Sequence, residues 1–124
     1  MPRASLSPPR FKSRPAIPIP LFEVDAAQDG DTFVVRVKGE LDLCQRPLLE
    51  RALAASEASD ARWVLLDLDQ LTFIDAAGLH ALLLAAHRSS GHGGRLRLTH
   101  GKGDVAEMFR LTALDLTLPF RERE

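Results

Sequence analysis

Asp42 and Asp75 are the acids whose settings could support chemistry. Asp42 follows Gly39-Glu40-Leu41, and Asp75 stands in FIDAAGL, residues 73–79, where an apolar strand pattern gives way to an apolar helix pattern. Two carboxylates brought together can do acid–base work. Each also has a structural use: Asp75 is a natural helix N-cap, and Asp42 can order a strand-to-helix turn. No nucleophile paired with a base accompanies them, so the structural use is preferred and no enzymatic activity is expected. A helix N-terminus collects unpaired N–H groups and partial positive charge, which favours anions and phosphate. Gly78 is a permissive residue in the first turn. Ala76 and Ala77 fill the places where a hydroxyl would suit such a site, and alanine has no oxygen to accept a phosphoryl group.

The other reactive side chains point to less. Cys44 precedes a helix pattern, where a thiolate could be stabilised, but it has no second cysteine and no histidine partner. It reads as a small turn or core residue. One cysteine also excludes an internal disulfide and a four-cysteine zinc site. His80 and His87 share a helix face but stand about 10 Å apart along its axis, too far to bind one metal. His92 and His100 flank a predicted strand and do not converge. The glycines of GHGGRLRLTHGKGD match neither phosphate-loop spacing and read as helix stops and turns. No metal and no cofactor are expected.

The elements that must position these residues follow from periodicity. LFEVDAA alternates, QDGD is a turn, and TFVVRVKGEL is rich in strand formers, which predicts a hairpin with its second strand around 32–38. Pro47 suits an early helical position, and Leu48, Leu49, Ala52 and Leu53 form a stripe, giving a helix that ends near Ser59. RWVLLDL, 62–68, reads as a strand buried on both faces, reached by a crossover to a parallel neighbour. A helix capped by Asp75 runs to about Ser89, with Leu79, Leu82, Leu83 and Ala86 in one stripe and His80, Leu84 and His87 beside it. RLRLTH is a strand, 103–112 a short helix, and DLTLPF, 115–120, a last strand. The order is that of an α/β fold in which helices and sheet share one core.

Composition bounds the partners. The 124 residues are 45% hydrophobic with a formal net charge of −1, which argues against nucleic acid. No apolar run reaches the roughly 20 residues of a membrane span, so direct membrane insertion is not expected. The basic N-terminus has no apolar signal-peptide core, and the expected setting is cytoplasmic. Six of the eight prolines lie in residues 1–20, with Arg3, Arg10, Lys12 and Arg14 unbalanced by any acid. This predicts an extended or disordered arm over 1–20, a domain over 21–120 and a charged tail over 121–124.

VKGELDL, 37–43, followed by a helix and then VLLDLDQLTFIDAAGLHALL, 64–83, resembles the STAS domain of bacterial anti-sigma factor antagonists. The resemblance covers about residues 21–120. It implies a mixed β-sheet of four to five strands with helices packed mainly on one side. In that family an anti-sigma factor, a histidine-kinase-like protein, phosphorylates a serine or threonine in the D-x-x-G-L segment. The unphosphorylated form binds the anti-sigma factor and frees the sigma factor. By position, Asp75 matches the motif aspartate, Ala76 and Ala77 the hydroxyl positions, and Gly78 and Leu79 the helix start; Asp42 matches an acid near the phosphorylation site. The resemblance therefore implies a partner surface of Asp42, Asp75, Ala76, Ala77, Gly78 and Leu79, extended along His80 and Leu84, with its covalent switch replaced. The alternative it implies is an accessory STAS subunit of a lipid or anion transport complex, docking on a transporter ATPase. A homodimer is compatible with either.

Overall fold

The computed structural model describes residues 22–122. The arm expected over 1–20 lies outside them, as do the last two residues of the tail. Strand β1 (Glu23–Asp29) turns through Gly30 and Asp31 into β2 (Thr32–Leu41). The two pair antiparallel from Glu23↔Lys38 to Asp29↔Thr32, and the two-residue loop takes its positive φ of 63° at Gly30. Helix α1 (Arg46–Ala58) leads to β3 (Trp63–Ile74), α2 (Ala76–Ser90) to β4 (Leu96–Leu98), and α3 (Gly103–Leu111) follows. The sheet order is β1-β2-β3-β4, with β2, β3 and β4 parallel.

The sheet advances in one direction from β2 to β4, so crossovers of the usual hand lay both connecting helices on the same face. This is the mixed four-stranded sheet with helices mainly on one side that the sequence implied. Its core is one cluster. Val35 and Val37 of β2, Leu66 and Leu68 of β3, Leu49 and Leu53 of α1, Leu82 of α2 and Phe109 of α3 are all fully buried in it.

The expectation that 62–68 is buried on both faces is corrected. Val64, Leu66 and Leu68 are buried, but Leu65 and Asp67 between them are half-buried, and Trp63 is exposed. The sheet face away from the helices carries the Arg36–Asp67 ion pair at 3.6 Å, and Arg62 and Arg97 lie over the Trp63 ring. One-sided helix cover restores alternation to the strand.

Strand β3 is also longer than expected, pairing with β2 as far as Leu41↔Ile74, and its register slips twice on the way, between Arg36 and Lys38 and again between Gly39 and Glu40. Each slip adds one residue to β3. The first moves the core-facing set from Val64, Leu66 and Leu68 to Leu71, and the second moves it on to Ile74. The Thr72 hydroxyl donates to the Gly39 carbonyl at 3.1 Å across the second slip. Bulges of this kind re-aim a strand end. Here they set Ile74 opposite Leu41, immediately before Asp75.

Two further expectations change. The buried face of α2 is Gly78, Leu79, Ala81, Leu82 and Ala85, with Leu83 and Ala86 only partly buried against the core. Small side chains let the helix lie close to the sheet, which shifts the contact line off the leucine stripe. The last strand expected over 115–120 is a short 3₁₀ turn (Leu114–Leu116) followed by a single parallel bridge, Leu98↔Phe120. Pro119 has no N–H to extend a ladder, and β4 offers only three residues to pair with.

Candidate functional site

Because β2 and β3 are parallel neighbours ending at Leu41↔Ile74, the two turns that follow them emerge side by side. The C-terminal edge of parallel strands is where open α/β sheets present their sites. The Asp75 amide donates to the Leu41 carbonyl at 3.2 Å and ties the turns together.

Each acid is spent on its own turn. Asp75, in extended conformation, accepts the Gly78 amide on Oδ1 at 2.9 Å, and its carbonyl accepts the Leu79 amide at 2.9 Å. Asp42 Oδ1 accepts the Gln45 amide at 3.0 Å, while the Asp42 carbonyl takes the Gln45 and Arg46 amides at 3.1 and 3.0 Å. Both acids thus hold helix starts, the structural role expected from sequence. Cys44 is an exposed member of the Asp42 turn. Among the described residues no group of three or more His, Cys, Asp or Glu could hold a metal.

The first turn of α2 divides into an outer and an inner side. Ala76 is exposed and Ala77 half-buried. His80 and Leu84 are exposed one and two turns on, Leu84 at 37%. Gly78 and Leu79 are buried. Leu79 packs in the core, so its part in any surface is to fix the loop from beneath. Gly78 is there for space rather than conformational freedom. A Cβ at this position would stand 2.7 Å from Ile74 Cγ1, 2.9 Å from Leu41 Cγ and 3.0 Å from the Leu41 carbonyl oxygen. The first turn of α2 rests directly on the ends of β2 and β3.

Arg46 is the site residue that sequence reasoning missed. Its guanidinium reaches from α1 to α2, with Nη1 at 3.3 Å from the Ala77 carbonyl and 3.3 Å from His80 Nδ1. Its Nε donates to Glu50 Oε2 at 2.9 Å. The Arg46 head is therefore fixed beside Ala77 by partners on two helices. No sequence signal marks it, because its partners lie 31 and 34 positions away. The same end of the domain exposes apolar side chains close in sequence to both acids. Leu43, beside Asp42, is 68% exposed; Phe73, two before Asp75, is 45% exposed; and Leu48 in the first turn of α1 is also exposed. The site thus presents capped helix starts, a fixed arginine and exposed apolar side chains.

Residues 23–124 match the family described as the STAS domain. The fold is similar to an anti-sigma factor antagonist from Mycobacterium paratuberculosis, with a TM-score of 0.71, 25% identity, and coverage of 83% of this chain and 87% of that one. It is also similar to a putative anti-sigma factor antagonist from Thermotoga maritima, with a TM-score of 0.69, 17% identity, and coverage of 81% and 86%. The anti-sigma factor antagonist SpoIIAA in its unphosphorylated form aligns with a TM-score of 0.56 and 18% identity over 78% of this chain and 97% of that one. At those identities the last two speak for the fold alone.

Proposed function

As the chain belongs to the STAS domain family, we propose that it is an anti-sigma factor antagonist-like binding module without a phosphorylation switch. Its partner in this reading is a histidine-kinase-like anti-sigma factor in the cytoplasm, and the binding unit is the domain over residues 21–120. The observation that carries the reading is the Asp42–Asp75 end of the sheet. Its two turns are tied together, and the first two positions of α2, exposed Ala76 and half-buried Ala77, hold alanine instead of serine or threonine. A phosphate there would add about −1.5 to −2 charges and three acceptor oxygens. Alanine keeps the uncharged state permanently, so the chain stays competent to bind. Control then comes from abundance or from competition with phosphorylatable relatives. No catalytic group is called for, since both carboxylates serve as turn and helix caps.

The experiment is affinity capture from the source cell with the full chain, followed by titration calorimetry against the captured anti-sigma factor. Ala76→Asp and Ala77→Asp partly imitate phosphate. An acid in the first helical turn suits the dipole, so both variants should fold. At least one should bind more weakly than the parent. Equal binding by both would remove this end of the sheet from the interface. Capture of a transporter ATPase instead of an anti-sigma factor would overturn the reading in favour of a transport subunit.

A further inference from the structure

At the opposite end of the domain, where α1 and α2 finish and β3 and β4 begin, there is a cavity of ≈ 310 Å³. Its floor is apolar, with Leu53 of α1, Val64 of β3, Ala85 of α2 and Leu96 of β4 all buried. The space exists because the two helices place small residues towards each other here, Ser56 on α1 and Ala85 and Ser89 on α2. Protein interiors are close-packed, and an open pocket with an apolar floor and a few polar wall groups is the usual form of a small-molecule site.

The polar groups in the walls are engaged with the backbone, His92 among them through Nδ1 at 2.8 Å from the Arg88 carbonyl. The Ser56 hydroxyl donates to the Leu53 carbonyl at 2.6 Å, and Ser89 Oγ accepts the Leu96 amide at 3.0 Å. Arg95 closes one side. Its Nη1 donates to the carbonyls of Ser59 and Ala61 at 3.1 and 2.5 Å, and its Nη2 to those of Ser56 and Glu57 at 3.4 and 3.1 Å. That guanidinium is used up in holding the C-terminal end of α1.

The mouth is different. Arg88 Nε and Nη2 both stand 3.0 Å from the same oxygen, Oε2 of Glu57. Both side chains are 43% exposed. An ion pair this open contributes little, so an incoming anion can replace it at little cost. A ligand carboxylate offers two oxygens to the guanidinium fork where Glu57 now offers one, and the freed Glu57 can turn to water. We propose that this cavity binds a small apolar carboxylate, its ring or short hydrocarbon chain on the Leu53–Leu96 floor and its carboxylate on Arg88. The volume lies at the lower end of the range for ligand pockets, which sets the ligand at one ring or a short acyl chain. The site is about 20 Å along α2 from Asp75 and stands whatever partner that end takes.

The test is titration of the ¹⁵N-labelled full chain, free of any partner, with phenylacetate, 3-phenylpropionate and hexanoate, and with the neutral amide of each. At least one carboxylate should saturate, shifting the amides of Ser56, Ser89 and Leu96, and should bind about ten-fold or more tightly than its own amide. Arg88→Gln, a change at an exposed side chain, should bring the carboxylate down to the affinity of the amide. Ala85→Leu should fill the floor and abolish binding of both, with circular dichroism reporting the fold; if it unfolds, Arg88→Gln decides alone. The proposal is overturned if no carboxylate saturates, if acid and amide bind equally, or if Arg88→Gln binds like the parent.

Discussion

The Asp75 amide donates to the carbonyl of Leu41 at 3.2 Å, across the ends of two parallel strands. This bond sets the cap of α2 beside the Asp42 turn, although the two acids are far apart in sequence. The site is therefore only as rigid as the packing beneath it, chiefly the contact of Gly78 with Leu41 and Ile74.

Gly78→Ala tests that packing. Alanine gains about 1 kcal/mol in helix propensity, but overpacking a tight contact costs about 1–3 kcal/mol. Leu41 and Ile74 are themselves buried, so they cannot give way, and the clash should win. Urea unfolding should show a lower midpoint than the parent. An unchanged or raised midpoint would mean that the close approach is not tight in solution.

Asp75 offers a separation of cap from charge. Asp75→Ala removes the oxygen that holds the Gly78 amide and should cost about 1 kcal/mol, within the usual 0.5–2 range for a cap. Asp75→Asn keeps an acceptor and should retain most of the stability. If the partner reads the carboxylate itself, calorimetry will show weaker binding for Asp75→Asn despite its stability. Equal loss of stability in both variants would assign the role of Asp75 to charge rather than capping.

Arg46→Ala should loosen the loop more than it destabilises the domain. The Arg46–Glu50 pair is an (i, i+4) surface contact worth about 0.3–0.5 kcal/mol. The bonds to Ala77 and His80, in contrast, span two helices. Hydrogen exchange should quicken at the start of α2 while the global unfolding free energy changes by less than about 1 kcal/mol. Exchange unchanged in that turn would leave Arg46 no positioning role.

Leu84→Asp places a charge on the exposed face of α2, one turn beyond His80. It should weaken binding of an identified partner by burying an unpaired charge, with little effect on the fold. Unchanged affinity on calorimetry would take this face out of the interface.

Incubation with a cognate anti-sigma kinase and ATP should leave the chain without phosphate, by intact mass. Ala76→Ser or Ala77→Ser should restore one phosphorylation, mapped to that residue. Thr72, three residues before Asp75, and Ser89, at the far end of α2, are the alternative hydroxyls; Thr72 donates to the Gly39 carbonyl and Ser89 accepts the Leu96 amide. Efficient phosphorylation of either in the parent chain would mean that a switch persists elsewhere.

Local chemistry was legible in the sequence. Asp75 before an apolar helix can only be a good cap, Pro47 starts α1, Gly30 turns the hairpin, and the order of strand and helix patterns dictates parallel crossovers. Each of these signals acts within one or two turns of chain, where propensity and hydrogen bonding are decided by neighbours. Tertiary structure decided what depends on residues distant in sequence. Two register slips in β3 determine which side chains face the core before Asp75, and nothing in WVLLDLDQLTFI announces them. The role of Gly78 changed from conformational freedom to empty space, because the obstacle is the strand end at Leu41. Arg46 joined the site through partners more than thirty residues away. The expected last strand shrank to a bridge at Phe120, since pairing requires a partner long enough to pair with, and β4 is short.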